Sequence, residues 1–158
     1  MLREALFSIW RNEVQDTAFL DLFAGSGSVG LEALSRGARR VLLVDRRGKG
    51  LTVLSQNCRS LAEEGWQIQA VDLPQELAKL CGMGPWGLVF ADPPYEFFAF
   101  DSLLSGVQNL LADSGHLAIE HSTRQTPPQK SGLLEAIDRR EYGESIMTIY
   151  RKDLDPAD

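Results

Sequence analysis

The sequence has few of the residues that bind metals or form disulfides. Its 158 residues include two cysteines and two histidines. Cys58 and Cys81 lie far apart, with neither a CxxC spacing nor a histidine at a zinc-like spacing. We therefore predict no metal site and no disulfide, and we expect both thiols to be reduced, as is usual in the cytoplasm.

Long apolar runs and an excess of positive charge are also missing. Charged residues such as Arg3, Glu4 and Arg11 interrupt the start of the chain, and no later segment approaches the roughly 18 apolar residues of a membrane-spanning helix. We expect a cytoplasmic protein without membrane contact. The net charge of -6 argues against indiscriminate nucleic-acid binding, which depends on neutralising phosphates, so any RNA contact must come from a local basic patch or a partner.

What the sequence does contain is a regular alternation of apolar strands and helices. Continuous apolar strands separated by helices indicate an α/β fold, with a mostly parallel sheet covered by helices on both faces. The predicted elements are an amphipathic helix over 2–14, strands over 18–23, 41–45, 67–71, 86–91 and 116–120, and helices over 48–64 and 100–111.

The pattern changes near the end of the chain. Residues 134–142 and 145–152 flank Gly143-Glu144 and predict an antiparallel hairpin at one edge of the sheet. No linker or composition change divides the chain. We therefore predict one domain over residues 1–152, followed by an acidic, frayed tail at 153–158.

A glycine-rich turn follows the first strand. Gly25-x-Gly27-x-x-Gly30 has the spacing of a dinucleotide-binding turn, and Asp45 follows Gly25 by twenty residues, where an acid can hold ribose hydroxyls. Asp21 argues against a dinucleotide, because its carboxylate would repel a pyrophosphate at the start of the next helix. S-adenosylmethionine carries an amino group and a sulfonium, both cationic, and suits this acid better. A nicotinamide cofactor stays the alternative.

Three further predicted strands also end in an acid. Asp72 can accept a hydrogen bond from an adenine amino group, with Leu73 against the ring, or it can simply cap a helix that begins at Leu73-Pro74. In an open α/β sheet, ligands bind outside the carboxyl ends of the strands. Four acids share that edge: Asp21, Asp45, Asp72 and Asp92.

The fourth strand ends in Asp92-Pro93-Pro94-Tyr95. The exocyclic amine of a purine is a poor nucleophile, so a catalyst must hold its hydrogens and aim its lone pair. The Asp92 carboxylate and the Pro93 carbonyl can each accept one amino hydrogen, while Pro93 and Pro94 stiffen the loop. Tyr95 can stack on the base. We assign these four residues to catalysis by alignment; the alternative is that the prolines only end a strand and Tyr95 only packs on the surface.

These segments resemble the class I S-adenosylmethionine-dependent methyltransferases and, within them, the family that methylates the N2 amino group of a guanine in small-subunit ribosomal RNA. The resemblance implies a Rossmann-like sheet of seven strands in the order 3-2-1-4-5-7-6, with strand 7 antiparallel. The matching segments are Arg3 to Ser8, Asp21 to Gly27, Leu31 to Ala38, Asn57, Asp92 to Tyr95, and Tyr142-Gly143-Glu144. The cofactor-binding residues are predicted to be Asp21, Phe23, Ala24, Gly25, Ser26, Gly27, Asp45, Arg46, Asp72 and Leu73.

The chain departs from the family pattern at two points. The basic segment that usually precedes the helix near Arg3 is not in this sequence, and Asp45 stands where the family usually has a glutamate. The implied partner is small-subunit rRNA, bare or within an assembled subunit, and a monomer is favoured. Two alternatives stay open: an adenine-N6 methyltransferase of DNA or RNA, which uses the same Asp-Pro-Pro-Tyr element, and a cofactor-binding domain without catalysis.

Overall fold

The structure is a computed structural model that describes residues 2–154. Apolar strands form its centre, and most of these strands lie in the short runs of branched and aromatic residues where the sequence predicts strands. In chain order the strands are β1 (Ala18–Leu22), β2 (Arg40–Asp45), β3 (Trp66–Ala70), β4 (Trp86–Ala91), β5 (Leu111–Ser122), β6 (Lys130–Ser131), β7 (Leu134–Tyr142) and β8 (Ser145–Lys152). The helices are α1 (Arg3–Ile9), α2 (Ser28–Ser35), α3 (Lys49–Leu61), α4 (Phe100–Gln108) and a 3₁₀ helix at Leu77–Leu80.

The strands form one sheet in the order β3-β2-β1-β4-β5-β8-β7-β6. Strands β1 to β5 pair in parallel, β8 is antiparallel to β5, and β7 and β8 form the C-terminal hairpin. The predicted mostly parallel sheet with an antiparallel hairpin is confirmed, and the seven predicted strands keep their order. The sheet has eight strands because the two residues of β6 pair with Leu134 and Glu135 at its edge.

Two element boundaries, the end of α1 and the start of β5, differ from the prediction by five residues, and those of α3 and α4 differ by up to three. Helix α1 ends at Ile9, although Trp10 and Val14 stay buried in the same core, so the apolar pattern continues through turns that are not helical. Strand β5 begins at Leu111 instead of residue 116. Its first part contains Asp113-Ser114-Gly115, with Ser114 at a φ of 63°, a polar sequence that is typical of a loop.

Helices cover both faces of the sheet. One core cluster joins α1, α2 and α3 to the sheet through Phe7, Ala33 and Leu54, and the other joins α4 and the 3₁₀ helix through Leu104 and Leu80. Side chains of β1 alternate between the clusters, as the period of a strand requires: Phe19 joins the first, whereas Leu20 and Leu22 join the second. Asp21 therefore points to the face that α2 covers.

Several predicted absences concern only the part of the chain that the structure describes. Between residues 2 and 154, no helix combines the length and apolar character needed to cross a membrane. In the same range no three His, Cys, Asp or Glu side chains are grouped for a metal ion, and Cys58 and Cys81 are both free.

The predicted C-terminal tail, residues 153–158, is described only in part. The Asp153 N–H donates to the Leu133 carbonyl at 2.8 Å. The tail from residue 155 onward lies outside the described residues.

Candidate active site

The carboxyl ends of β1, β2 and β4 and the segment that follows β3 open onto a cavity of about 810 Å³, called here the donor cavity. Ligands bind at this edge in open α/β sheets, and the volume is within the roughly 300–1,000 Å³ of small-molecule sites. Its lining residues are Phe23, Asp45, Arg46, Val71, Asp72, Leu73, Gln75, Glu76, Asp92, Pro94, Glu96 and Phe97.

The predicted cofactor residues divide into three groups. The residues that line the donor cavity are Phe23, Asp45, Arg46, Asp72 and Leu73. The glycine turn between β1 and α2 contains Ala24, Gly25, Ser26 and Gly27. Asp21 belongs to neither group, because its side chain is only 1% exposed and lies beneath the turn.

Neighbouring side chains hold the glycine turn in place. The Gly25 N–H donates to Asp45 Oδ2 at 2.8 Å, and the Asn57 side chain in α3 donates to the Ser26 carbonyl at 2.9 Å. Gly25 and Gly27 have φ values of 56° and 86°, a region that side chains disfavour. Contacts within the chain therefore hold the turn in this shape.

Asp45 is fixed at the end of β2 by two backbone donors. Besides the Gly25 N–H on Oδ2, the Arg46 N–H donates to Oδ1 at 2.8 Å. Each carboxylate oxygen keeps further acceptor capacity. Asp45 is thus oriented by the chain and is able to accept hydrogen bonds from ligand hydroxyls.

Asp21 occupies the positive end of α2. Its Oδ2 accepts the N–H of Gly30, in the first turn of that helix, at 2.9 Å. Burial raises the pKa of Asp21 to about 7; the Gly30 hydrogen bond opposes this shift, and the charges of Asp92 and Asp45 add to it. A pyrophosphate at this helix end would meet a buried acid, so the structure favours a cationic ligand over a dinucleotide.

Both apolar and polar groups line the donor cavity. Phe23 packs edge-to-face on Phe97, with 5.5 Å between the ring centroids. Asp72 is exposed, and its backbone N–H donates to Glu76 Oε1 at 2.7 Å. The Asp72 side chain caps no helix in the described chain, because the 3₁₀ helix begins only at Leu77. Its carboxylate is available to a ligand.

A second cavity of about 250 Å³, called here the acceptor cavity, adjoins the first. The two cavities share Asp92 and Pro94. A donor molecule in one cavity and a flat base in the other would therefore meet at Asp92. The residues that line the acceptor cavity are Asp92, Pro93, Pro94, Tyr95, Glu120, His121, Ser122, Gln125 and Ser145.

The Asp92 loop presents acceptors and an exposed ring. Burial and, to a smaller extent, the charge of Glu120 together raise the pKa of Asp92 to about 7. Pro93 is buried, and within residues 2–154 no donor contacts its carbonyl oxygen. Tyr95 is 77% exposed, so its ring is accessible for stacking.

Gln125 holds this loop and was missed by the sequence analysis. Its side chain is 2% exposed, and its Nε2 donates to the carbonyls of Pro94 at 3.1 Å and Phe97 at 2.8 Å. Its Oε1 accepts the Ser122 N–H at 2.9 Å. A polar residue within the polar segment 123–132 carries no signal of such contacts in the sequence.

Glu120 and His121 were also assigned no role from the sequence, although they lie near the carboxyl end of β5, as the aspartates lie near the carboxyl ends of the neighbouring strands. His121 is buried, with Nε2 2.8 Å from Thr148 Oγ1 and Nδ1 2.9 Å from the Ser122 carbonyl. Burial lowers the pKa of His121, which favours the neutral ring. The signal that could have identified both residues was their position at the carboxyl end of an apolar strand.

The sequence and the structure both match known proteins. A family model described as "Conserved hypothetical protein 95" matches residues 1–151. A Bacillus subtilis protein named as a candidate rRNA methyltransferase, YlbH, is 31% identical over 96% of this chain and 84% of its own length. Ribosomal RNA small subunit methyltransferase D of Escherichia coli is 35% identical over 75% of this chain, which covers 57% of that protein. A solved structure of a conserved hypothetical protein from Streptococcus pyogenes has a TM-score of 0.85 at 27% identity, covering 96% of this chain and 95% of that one.

The buried carboxylate of Asp21 predicts a pH-dependent stability. Because its pKa is raised from 3.8 to about 7 in the folded state, the folded protein binds more protons than the unfolded chain between those values, and the free energy of unfolding falls as pH rises between them. Asp21→Asn keeps an acceptor for Gly30 and cannot ionise. The free energy of unfolding of this variant minus that of the parent should therefore increase by roughly 2–4 kcal/mol from pH 4 to pH 7. Urea unfolding of both proteins at several pH values measures this difference, and a constant difference would contradict it.

Gln125 should control the order of the Asp92 loop. Gln125→Met keeps the volume of the side chain and removes its three hydrogen bonds, which should lower the free energy of unfolding by roughly 1–3 kcal/mol. The Phe97 N–H, which donates to the Pro94 carbonyl at 3.0 Å, should exchange with solvent faster. Hydrogen-exchange mass spectrometry measures this change. Gln56→Met, at an exposed position of α3, is the control, and equal exchange in the two variants would argue against the role of Gln125.

Proposed function

The chain belongs to the family described as conserved hypothetical protein 95, and on this premise we propose that it transfers a methyl group from S-adenosylmethionine to the N2 amino group of a guanine in small-subunit ribosomal RNA. The observation that carries the proposal is the contact of the donor and acceptor cavities at Asp92 and Pro94. The printed names of the B. subtilis and E. coli relatives support an rRNA substrate.

The residues around the donor cavity fit S-adenosylmethionine. Asp45 would accept hydrogen bonds from the ribose hydroxyls, and Asp72 would accept one from the adenine amino group, with Phe23 and Leu73 against the ring. Asp21 would stabilise the cationic ligand through its charge, since it does not line the cavity. When bound, this cofactor supplies an electrophilic methyl group on its sulfonium.

The Asp92 loop aligns the nucleophile. The lone pair of the guanine N2 is delocalised into the ring, and it becomes available when the Asp92 carboxylate and the Pro93 carbonyl each accept one amino hydrogen. The N2 nitrogen would then bond to the methyl carbon while the bond from that carbon to the sulfonium sulfur breaks and leaves a neutral thioether. The positively charged nitrogen would then lose one of its protons. With a pKa of about 7, Asp92 is suited to accept that proton and pass it to water.

The exposed ring of Tyr95 supports a target base that has left its stack. A base inside a helix cannot enter a cavity of about 250 Å³, so the nucleotide must be extruded before it reaches Asp92. Tyr95, which lines this cavity, would stack on the face of the extruded base. The partner in this proposal is small-subunit rRNA, bare or assembled with ribosomal proteins, and the expected location is the cytoplasm.

One experiment tests both the methyl transfer and the identity of the methylated base. Bare small-subunit rRNA and small ribosomal subunits from a strain that lacks guanine-N2 methylation would be incubated with S-adenosylmethionine and the protein. Mass spectrometry of the nucleosides should show N2-methylguanosine. N6-methyladenosine would instead support the adenine alternative, and no methylation of either substrate would contradict the proposal.

The same assay separates the roles of two acids. Asp92→Ala should lower kcat by roughly 10²-fold or more, because alignment and proton transfer are lost, while calorimetry shows nearly unchanged binding of S-adenosylmethionine. Asp45→Ala should instead weaken that binding by about tenfold or more, because two ligand hydroxyls lose a charged acceptor.

Asp113→Ala, an exposed position of β5, is the control for both variants. Unchanged turnover by the Asp92 variant would refute its catalytic role. Binding as tight as that of the parent would refute the ribose role of Asp45.

A further inference from the structure

The acceptor cavity contains a second acid, Glu120, which is buried and which the mechanism does not use. Ile119 of β5 pairs with Ala91 of β4 in the parallel register, so the next residues of the two strands, Glu120 and Asp92, are neighbours. The Glu120 side chain is 9% exposed and lines the acceptor cavity together with Asp92. The two carboxylates therefore face one small space.

Only one oxygen of Glu120 has a partner in the described part of the chain. Oε1 accepts the N–H of Leu2, just before α1, at 3.1 Å. Within residues 2–154 neither a hydrogen bond nor an ion pair reaches Oε2. Buried carboxylate oxygens are stabilised by hydrogen-bond donors. Glu120 Oε2 therefore favours a ligand that has a hydrogen-bond donor next to the amino group held by Asp92.

The two purines differ at the atom next to their amino group. In guanine, the N2 amino group adjoins N1–H, which is a hydrogen-bond donor. In adenine, the N6 amino group adjoins N1 with a lone pair, which is an acceptor. An ionised carboxylate can accept but not donate, so it pairs with the first arrangement and repels the second.

We propose that Glu120 selects guanine over adenine, its Oε2 accepting the N1–H of the target base while Asp92 and the Pro93 carbonyl hold the adjacent amino group. This inference rests on the proposed function, since it concerns the base that occupies the acceptor cavity. It makes Glu120 a residue that contacts the substrate, beyond its hydrogen bond to Leu2.

Glu120→Gln tests this role because Leu2 fixes the orientation of the new amide. The Leu2 N–H needs an acceptor, so the amide oxygen should take the place of Oε1 and the NH2 group should face the cavity. The substitution thus exchanges an acceptor for a donor at nearly constant volume. The matching change in the substrate is 2-aminopurine, which keeps the amino group at C2 and has a lone pair at N1.

Small subunits would be reconstituted with rRNA that carries either guanosine or 2-aminopurine ribonucleoside at the position that the parent protein methylates. The parent should prefer guanosine. Glu120→Gln should lower kcat/KM for guanosine by roughly ten- to hundredfold and shift the ratio of the two substrates toward 2-aminopurine by at least about tenfold. Taking the ratio cancels differences in intrinsic reactivity, cofactor binding and folded fraction.

Glu63→Gln removes the same charge at an exposed position and should leave the ratio unchanged. An unchanged ratio in Glu120→Gln would overturn the inference and leave the proposed function intact, since the parent still methylates guanine. No N2-methylguanosine from the parent would overturn both. If the variant does not fold, the kcat/KM values of the parent on the two substrates provide the test. Equal values for guanosine and 2-aminopurine ribonucleoside would overturn the proposed selection by Glu120.

Discussion

A row of acidic side chains at the carboxyl edge of the sheet, two of them buried, is the constraint on which the rest of the site depends. Asp21, Asp45, Asp92 and Glu120 lie at the ends of adjacent strands, and in the described chain no lysine or arginine forms an ion pair with any of them. Backbone N–H groups are the donors to three of these acids. Such an edge disfavours phosphate and favours a cation together with a base that presents hydrogen-bond donors.

The fold places these acids around two adjoining cavities. The parallel register of β1, β2, β4 and β5 brings the acids to one edge, where the donor cavity opens beside Asp45 and Asp92. Gln125 fixes the Asp92 loop through hydrogen bonds to carbonyl groups 28 and 31 residues away in sequence. The rigid loop is what allows one tetrapeptide to border both cavities.

Most of the framework could be predicted from the sequence because its signals are local. Strand β4 and the C-terminal hairpin have the predicted bounds, since apolar runs and the Gly143 turn mark them directly. The family resemblance is confirmed by the match over residues 1–151. The burial of Asp21 was not predicted, because the sequence does not show on which side of the turn a side chain lies. Gln125 was missed because its partners are distant in sequence, and Glu120 because its position near the end of β5 does not by itself show that its side chain is buried.

The most direct test of this picture is a ¹³C NMR titration of the aspartate carboxyl carbons, with and without S-adenosylmethionine. The predicted result is that Asp21 and Asp92 titrate near pH 7 in the free protein and at a lower pH once the cationic ligand is bound. Titration of both groups at their ordinary values near 4 in the free protein would contradict the central role of crowded, buried carboxylates.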